Sequence, residues 1–313
     1  MKCFVFIITI FAVSAVIYAE DGYDTANKLY YIGNYQKSIT LANESLQSSN
    51  DPRLYILIGR NYSAMNNFIK ALEYIEKGIT IAESNNDTKV MAWGYNNIGV
   101  ILKEQKKYKK ALAYYQKALT LDEAFHEKDG MAREYNNIAN VYYILGDSSN
   151  AMLNYRKALK INQEIGNNEG IAIAYNNLSA IHYSANNFQK AIDYLSYAIK
   201  YDAQLPYKGN LADDYHNMAI IYETLKQDGN ALKYYKMALE INELLQVDER
   251  LIVSYESLSY LYERWHEYDK AIEYREKIVK IAQVDNLSRI YSDLNFLKKL
   301  KEKKQTELNK SGN

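Results

Sequence analysis

Asparagine side chains that recur at a fixed spacing are the residues best suited to chemistry in this sequence. Two adjacent rows repeat every forty residues: Asn96, Asn136 and Asn176, and one residue later Asn97, Asn137, Asn177 and Asn217. An amide side chain offers both a hydrogen-bond donor and an acceptor. A row of amides can therefore pair with the backbone of an extended peptide without reading its side chains.

Sequence patterns for catalysis or metal binding are missing. The four histidines form no His-Glu-x-x-His pair, and there is no phosphate-binding loop, glycine-rich dinucleotide turn or Gly-x-Ser-x-Gly elbow. The single cysteine, Cys3, lies near the amino terminus, which argues against a thiolate metal site or a cysteine nucleophile. We therefore predict no enzyme, no cofactor, no metal site and no small-molecule substrate.

The elements that must position the asparagines repeat with the same period. Alanines followed by a large apolar residue recur every forty residues, at Ala71, Ala111, Ala151, Ala191, Ala231 and Ala271. Small residues keep step with them, at Gly59, Gly99, Ala139, Ser179, Ala219 and Ser259. A constant period of this length predicts an array of stacked structural repeats.

Each period is predicted to be a hairpin of two helices. In residues 92–131, apolar residues spaced by three, four and seven form two stripes, separated by the polar turn 104–107. Asn66 and Gly146 occupy equivalent turns, and both residue types tolerate the left-handed backbone that ends a helix. We name the first helix of each hairpin helix A and the second helix B. The small residues are expected where the two helices cross.

This pattern resembles the tetratricopeptide repeat. Residues 135–142, Tyr-Asn-Asn-Ile-Ala-Asn-Val-Tyr, followed by Gly146, Ala151, Tyr155 and Ala158, match the signature of that family, and the resemblance covers about residues 20–285. The usual unit of the family has about 34 residues. The longer unit here is similar to those of kinesin light chains and of G-protein-modulating scaffold proteins.

The resemblance implies an all-α fold, a right-handed superhelical solenoid of about seven helix-turn-helix hairpins with a C-terminal capping helix. The repeats are expected near 20–51, 52–91, 92–131, 132–171, 172–211, 212–251 and 252–285. Residues 286–313 would form the capping helix and a charged tail that frays from Lys298. The last repeat departs from the pattern, because Arg275 and Ile278 replace an aromatic residue and an alanine.

In such an array, helix A of each repeat lines a concave groove. The resemblance places these partner-binding candidates there: Asn96, Asn136, Asn140, Tyr143, Asn176, Tyr183, His216, Asn217 and Tyr260. The other interpretation of the asparagine rows is that they bond within or between repeats, since buried amides need partners. The row that holds a C-terminal carboxylate in some family members reads Trp93, Arg133, Ile173, Asp213 and Val253 here. With one basic residue in that row, we do not expect carboxylate capture of that kind.

The amino terminus has the pattern of a secretory signal peptide. In residues 1–19, Lys2 precedes an apolar stretch over 4–18, and Ala19 stands at a plausible cleavage point. Cleavage after Ala15, or retention of the segment as a membrane anchor, are the alternatives. We expect a protein exported to a bacterial periplasm or cell envelope, cleaved near Ala19.

Composition limits the possible partners. The chain has 38 basic and 38 acidic residues, so it lacks the long-range positive field that nucleic-acid binding requires. The expected function is that of an exported, non-enzymatic scaffold that binds a protein or peptide partner in the concave groove. The alternatives are a structural subunit or assembly factor of a cell-envelope complex, or a peptide sensor. The lysines between 298 and 304 leave peripheral membrane association possible, and the oligomeric state is open.

Overall fold

The computed structural model describes residues 22–282 and 287–311. All the regular secondary structure in these residues is α-helical, in fifteen helices. The predicted signal peptide, residues 1–19, lies outside the described residues. The chain divides into two compact units, Met1–Ile165 and Gly166–Asn313.

The described part of the first unit consists of four consecutive helical hairpins. Their helices are α1 (Gly22–Tyr31), α2 (Tyr35–Leu46), α3 (Pro52–Ala64), α4 (Phe68–Ser84), α5 (Thr88–Glu104), α6 (Tyr108–Ala124), α7 (Lys128–Ile144) and α8 (Ser148–Ile165). Odd-numbered helices are helix A of their hairpins, and each packs against the helix B that follows it.

The second unit contains three further hairpins and a final long helix. Its helices are α9 (Asn168–Ser184), α10 (Phe188–Asp202), α11 (Gly209–Thr224), α12 (Asp228–Leu245), α13 (Asp248–Arg264), α14 (Tyr268–Ala282) and α15 (Leu287–Ser311). The predicted all-α solenoid of helix-turn-helix repeats is therefore confirmed.

The turns inside the hairpins repeat one backbone conformation every forty residues. The residue in each turn has a left-handed φ between 56° and 80°, at Asn66, Lys106, Gly146, Asn186, Lys226 and His266. Only some of these are the glycine or asparagine that favours this region. Fixed turn geometry thus overrides the local preference of Lys and His, which is why glycine and asparagine alone did not reveal every turn.

One connection between hairpins differs for a covalent reason. The connections after α4, α6, α8 and α12 also contain a left-handed residue, at Asn86, His126, Gly166 and Gln246. The equivalent position after α10 is Pro206, whose ring fixes φ near −65°. That left-handed turn cannot form, and the chain makes a longer connection between Asp202 and Gly209.

The two ladders of small residues meet where helices A and B cross. The six alanines of the first ladder are 0% exposed. A Cβ atom added to Gly59 would lie 2.8 Å from the carbonyl oxygen of Ala71. At the equivalent crossing in the second unit, the hydroxyl of Ser179 donates to the carbonyl of Ala191 at 2.7 Å. Small side chains are therefore required by the close approach of the two backbones, as the sequence predicts.

The last helix corrects one expectation. Instead of fraying after Lys298, the chain continues as α15 to Ser311. Lys303 pairs with Glu263 at 2.7 Å and Lys301 with Glu276 at 3.0 Å, while Lys304 pairs with Asp269. Pairing with the last hairpin holds a segment whose composition alone predicts a loose tail. Within the described residues, no helix combines the length and apolarity needed to cross a bilayer.

Candidate functional site

Three of the predicted partner-binding residues meet at one cavity in the second unit. The cavity, of about 140 Å³, lies between α9 and α11, the helices A of two successive repeats. Asn176 and Tyr183 reach it from α9 and Asn217 from α11, while Leu195, Ile220 and Ile221 form an apolar lining. A small apolar cavity with a polar rim suits a single side chain, since ligand pockets usually exceed about 300 Å³.

The polar groups at this rim differ in how far they are already occupied. The amide of Asn176 donates to the carboxylate of buried Asp214, and the hydroxyls of Tyr183 and Thr224 are 3.0 Å apart. The amide of Asn217 has no hydrogen-bond partner among the described residues. Asn217 is thus the rim residue whose donor and acceptor are both available to a ligand.

A second cavity, of about 350 Å³, shares Asn217 with the first. It lies between α11 and α13, and His216, Asp213 and Arg250 contribute to its walls. Arg250 Nη1 lies 2.6 Å from Asp213 Oδ1 and also donates to the Gly209 carbonyl at 2.9 Å. Burial lowers the pKa of His216, so its imidazole is neutral near pH 7. Asn217 therefore lines both of these cavities, one on each side of α11.

The predicted residues of the first unit are more fully engaged with the protein itself. The hydroxyl of Tyr155 donates to Asn140 Oδ1 at 2.5 Å. Asn136 and Tyr143 are half-buried on the same helix, and each interacts with other parts of the chain. Burial raises the pKa of Tyr155, so its hydroxyl remains protonated and acts as a donor.

Asn96, predicted as a partner-binding residue of the groove, is buried and bonded within the chain. Its side chain is 5% exposed, and Nδ2 donates to both carboxylate oxygens of Glu134 at 2.8 Å. The contact of Asn176 with Asp214 has the same offset of 38 residues. In both places an asparagine in one repeat satisfies a buried carboxylate in the next, which is the structural interpretation of the row.

The last predicted residue, Tyr260, belongs to the end of the array. It is 51% exposed, and its ring packs edge-on against Phe296 of α15 with centroids 5.1 Å apart. Arg275 packs against both rings, with Cζ 5.1 Å from the Tyr260 centroid and 4.1 Å from that of Phe296. Tyr260 therefore covers a buried cation as well as presenting a face to solvent.

Sequence reasoning missed a set of buried carboxylates between repeats. Their members are Asp122, Glu134, Asp202 and Asp214, all at most 3% exposed. Burial raises the pKa of Glu134 to about 7, although Arg133 and the Asn96 amide oppose the change. Desolvation likewise raises the pKa of Asp214, which lies beside Asp202. The sequence did contain a signal for two of them. In the other repeats, the positions equivalent to Glu134 and Asp214 hold uncharged residues, Leu54, Gly94, Ala174 and Ser254, so a carboxylate is unusual in this row.

Metal ligands do not gather anywhere in the described residues. No group of three or more His, Cys, Asp or Glu side chains there could hold an ion. The buried carboxylates are accompanied by amide and guanidinium groups instead, as at Glu134. What the site offers is shape, apolar surface and amide hydrogen bonds.

Stacked helical hairpins with small residues at each crossing define an α-solenoid repeat protein. Residues 90–164, 135–204 and 206–283 match one tetratricopeptide repeat model, and residues 52–85 match a second. These matches span most of the chain, which therefore belongs to the tetratricopeptide repeat family. The first hairpin, α1 and α2, precedes the matched residues.

Solved structures with a similar fold come from diverse proteins. A signal-transduction ATPase with a tetratricopeptide repeat sensor, from Pyrococcus horikoshii, is 19% identical, with a TM-score of 0.67 over 89% of this chain and 43% of that one. A Rap protein in complex with competence and sporulation factor is 18% identical, with a TM-score of 0.60 over 90% and 86%. BtubC from P. vanneervenii is 17% identical, with a TM-score of 0.56 over 72% and 88%. At these identities the likeness concerns the fold alone.

No curated protein matches the sequence.

Proposed function

We propose that this protein is a non-enzymatic scaffold that binds an extended peptide segment of a partner along the helices A of its second unit. The observation that carries the proposal is the cavity between α9 and α11, where an apolar lining lies beneath the amide of Asn217. The tetratricopeptide repeat family, to which the chain belongs, is typically an interaction scaffold. The Rap neighbour, solved in complex with competence and sporulation factor, is a protein of this fold that holds a partner.

The proposed contact combines one buried side chain with backbone hydrogen bonds. An apolar side chain of the peptide enters the cavity and covers Leu195 and Ile221. The Asn217 amide then donates to a peptide carbonyl and accepts from a peptide N–H group. Burial of the side chain supplies most of the affinity, at about 25 cal/mol per Å² of apolar surface. The amide fixes the position of the backbone.

A displayed library of random peptides, selected on residues 22–313, provides the probe. The affinity of each enriched peptide is then measured by fluorescence polarisation. Ala180 lines the cavity, so Ala180→Trp fills it, and Asn217→Ala removes the amide. We expect each variant to weaken binding by about tenfold or more.

The matched control is Asn137→Ala, because Asn137 holds the position equivalent to Asn217 on α7, in the other unit. This variant should bind the selected peptides as the unaltered protein does. The proposal is refuted if the selection enriches no peptide. It is also refuted if the selected peptides bind Ala180→Trp as tightly as they bind the unaltered protein.

We further propose export, on the sequence pattern of residues 1–19. A fusion of residues 1–30 to a reporter active only outside the cytoplasm tests this, and mass spectrometry of the mature amino terminus tests cleavage near Ala19. A cytoplasmic reporter would contradict export, and an exported but uncleaved product would favour a retained anchor. The constant forty-residue spacing of the helix B starts, from Phe68 to Tyr268, supports the long-repeat variant of the family.

The alternative of an envelope subunit that docks through its basic carboxy-terminal segment is less well supported. Lys301, Lys303 and Lys304 already pair with acidic residues of the last hairpin. An anionic membrane would have to compete with these pairs for the same ammonium groups. Co-sedimentation with anionic vesicles, with and without residues 298–313, separates this alternative from peptide binding.

A further inference from the structure

A cavity of about 270 Å³ in the first unit carries a different set of groups from the proposed peptide site. It lies near the amino-terminal ends of helices A and is lined by aromatic, basic and acidic side chains. Those that matter here are Tyr23, Lys89, Trp93, Asp122, Gly130 and Arg133. Its volume falls below the usual range for drug-sized ligands. It therefore suits a smaller molecule or one residue of a longer one.

Asp122 is a buried carboxylate that lacks a donor. Its side chain is 3% exposed, and Oδ2 has no hydrogen-bond partner among the described residues. The Nη2 atom of Arg133 lies 4.0 Å from Oδ2, beyond hydrogen-bond distance. A buried polar group without a partner is costly. Asp202 and Asp214 also carry an unpartnered oxygen, but they lie beside each other. Asp122 instead lines a cavity, so a ligand there would supply its missing donor.

The backbone around Asp122 leaves room for its carboxylate. A Cβ atom at Gly130 would lie 2.4 Å from Oδ2, so any larger residue would displace the carboxylate. Gly130 has no left-handed φ that would require glycine. The close approach to Asp122 accounts for the glycine at this position.

The aromatic lining favours a cation as the missing donor. The rings of Tyr23 and Trp93 meet edge to face, with centroids 6.1 Å apart, and both line the cavity. The face of an indole or phenol ring attracts an ammonium group, and burial strengthens the attraction. Guanidinium groups already use this property, since Arg53 lies 4.8 Å from the Tyr23 centroid and Arg60 5.5 Å from that of Trp93. A ligand ammonium group would therefore meet the ring parts that face the cavity beside Asp122.

The charges of the lining indicate a ligand that has both a positive and a negative or polar oxygen-bearing group. Three basic and three acidic residues surround the cavity, namely Arg53, Lys89, Arg133, Asp122, Glu127 and Asp129. The acids would repel a phosphate, and the bases would repel a metal ion or a polyamine. Lys89 is mostly exposed and pairs with Glu127 at 3.2 Å, which leaves some of its three donors for a carboxylate or carbonyl oxygen.

We propose that this cavity binds the α-ammonium group of a free amino acid or of the first residue of a peptide. The ammonium group donates to Asp122 beside Trp93, and the carboxylate or first carbonyl group faces Lys89 and Arg133. This binding is separate from the proposed peptide surface of the second unit. Either site can exist without the other.

Fluorescence and calorimetry test the proposal directly. The chain has two tryptophans, so Trp265→Phe leaves Trp93 as the only indole reporter. The probes are the standard amino acids, tripeptides with a free amino terminus, and the acetylated form of each. We expect heat and a change in Trp93 emission from free amines, and neither from acetylated compounds. A response to amino acids alone identifies a metabolite-sized ligand, and a response to tripeptides alone identifies a peptide terminus.

Substitutions show whether the binding is at Asp122. Asp122→Asn keeps the shape of the side chain, and we expect it to lower the affinity by about 10- to 100-fold. The control is Asp202→Asn, because Asp202 is also 3% exposed and lies at the equivalent position in the second unit. It should leave amine binding unchanged.

Three results would overturn the proposal. The first is no response to any free amine at about 10 mM, a concentration that would reveal even a weak complex. The second is equal binding of acetylated and free compounds. The third is unaltered affinity in a folded Asp122→Asn protein. If Asp122→Asn does not fold, the comparison of free and acetylated ligands on the unaltered protein decides the question.

Discussion

At the scale of single residues, this protein buries carboxylates at Glu134 and Asp214, where its other repeats carry small or apolar residues. Glu134 is fully buried and accepts two hydrogen bonds from Asn96 and one from Arg133. These bonds recover only part of the hydration that the carboxylate loses, so its pKa rises from 4.5 to about 7. The charged groups that face it are Arg133 and Asp122. Burial raises the pKa of Tyr115, and the charge of Glu134 raises it further.

The raised pKa of Glu134 predicts that the protein is less stable in mild alkali than in mild acid. Because the protonated form favours the folded state, this contribution is fully present below about pH 4.5 and is lost as the pH rises through about 7. Glu134→Gln should remove roughly 2–3 kcal/mol of the difference in unfolding free energy between pH 5 and pH 8. Urea unfolding followed by circular dichroism at both pH values measures it.

Glu76→Gln provides the matched control, since Glu76 is an exposed residue of α4. It should leave the pH dependence of stability as it is in the unaltered protein. If Glu134→Gln also leaves it unchanged, the pKa of Glu134 is the same in the folded and unfolded chains, and burial does not raise it.

At the scale of the helices, the distance between A and B in each hairpin is set by small residues at the crossing. Gly59 is buried, and a Cβ atom there would lie 2.5 Å from Ile75 Cγ1 as well as close to the Ala71 backbone. Serines at equivalent crossings use the same closeness to donate to a backbone carbonyl, as Ser259 does to Ala271 at 2.9 Å. Packing at the crossing, and not helix propensity, therefore decides which residues are accepted there.

Gly59→Ala should destabilise the protein even though alanine is the better helix former. The added methyl group must push α3 away from α4, and overpacking of this kind costs about 1–3 kcal/mol. Gly229→Ala is the opposite case, because a Cβ atom at Gly229 in α12 meets nothing within 4 Å. That change should stabilise the protein by about 0.5–1 kcal/mol.

Thermal unfolding of the two glycine variants side by side distinguishes packing from propensity. If both alanines stabilise the protein, the crossing accepts a methyl group at Gly59, contrary to the close contacts described above. If both destabilise it, the backbone of Gly229 is constrained by something other than contacts of its Cβ.

At the scale of the whole molecule, a repeat array must end, and here it ends on a buried ion pair. Arg275 occupies the position of Tyr115 and Tyr155 in earlier hairpins. It is 2% exposed, and its Nη1 atom donates to Asp293 of α15 at 2.8 Å. Leu300 of α15 is also fully buried against the last hairpin. The last repeat departs from the pattern because its neighbour is a capping helix and not another hairpin.

Asp293→Ala should detach the terminal helix. Removing the carboxylate leaves the Arg275 guanidinium buried, with Glu256, 3.7 Å away, as its acidic neighbour among the described residues. Breaking a buried pair in this way costs about 3–5 kcal/mol. Hydrogen exchange over Leu287–Ser311 should therefore accelerate strongly, and exposed apolar surface of the last hairpin should promote association in gel filtration.

Lys304→Ala provides a surface pair for comparison, since Lys304 and Asp269 are both partly exposed to solvent. Pairs of this kind contribute at most about 1 kcal/mol, so exchange over α15 should change little. Equal effects of the two variants would show that the buried pair does not anchor the helix.

The forty-residue period, the helical spacing of apolar residues within it and the family resemblance together predicted the all-α fold, the pairing of helices and the small residues at each crossing. These follow from one steric rule that is repeated at every unit, so they are readable from residue type and spacing. The resemblance to the family also gave Asn176, Tyr183 and Asn217 as candidates, and the fold places them around one cavity.

Only the tertiary structure decided which polar residues are satisfied within the chain and which face solvent. The sequence treats Asn96 and Asn217 alike, yet Asn96 is committed to Glu134 and Asn217 has no partner among the described residues. The same applies to Asp122, whose missing donor depends on the position of Arg133. Hydrogen bonding and desolvation depend on fractions of an ångström between neighbouring repeats, and a period of residue types does not carry that information.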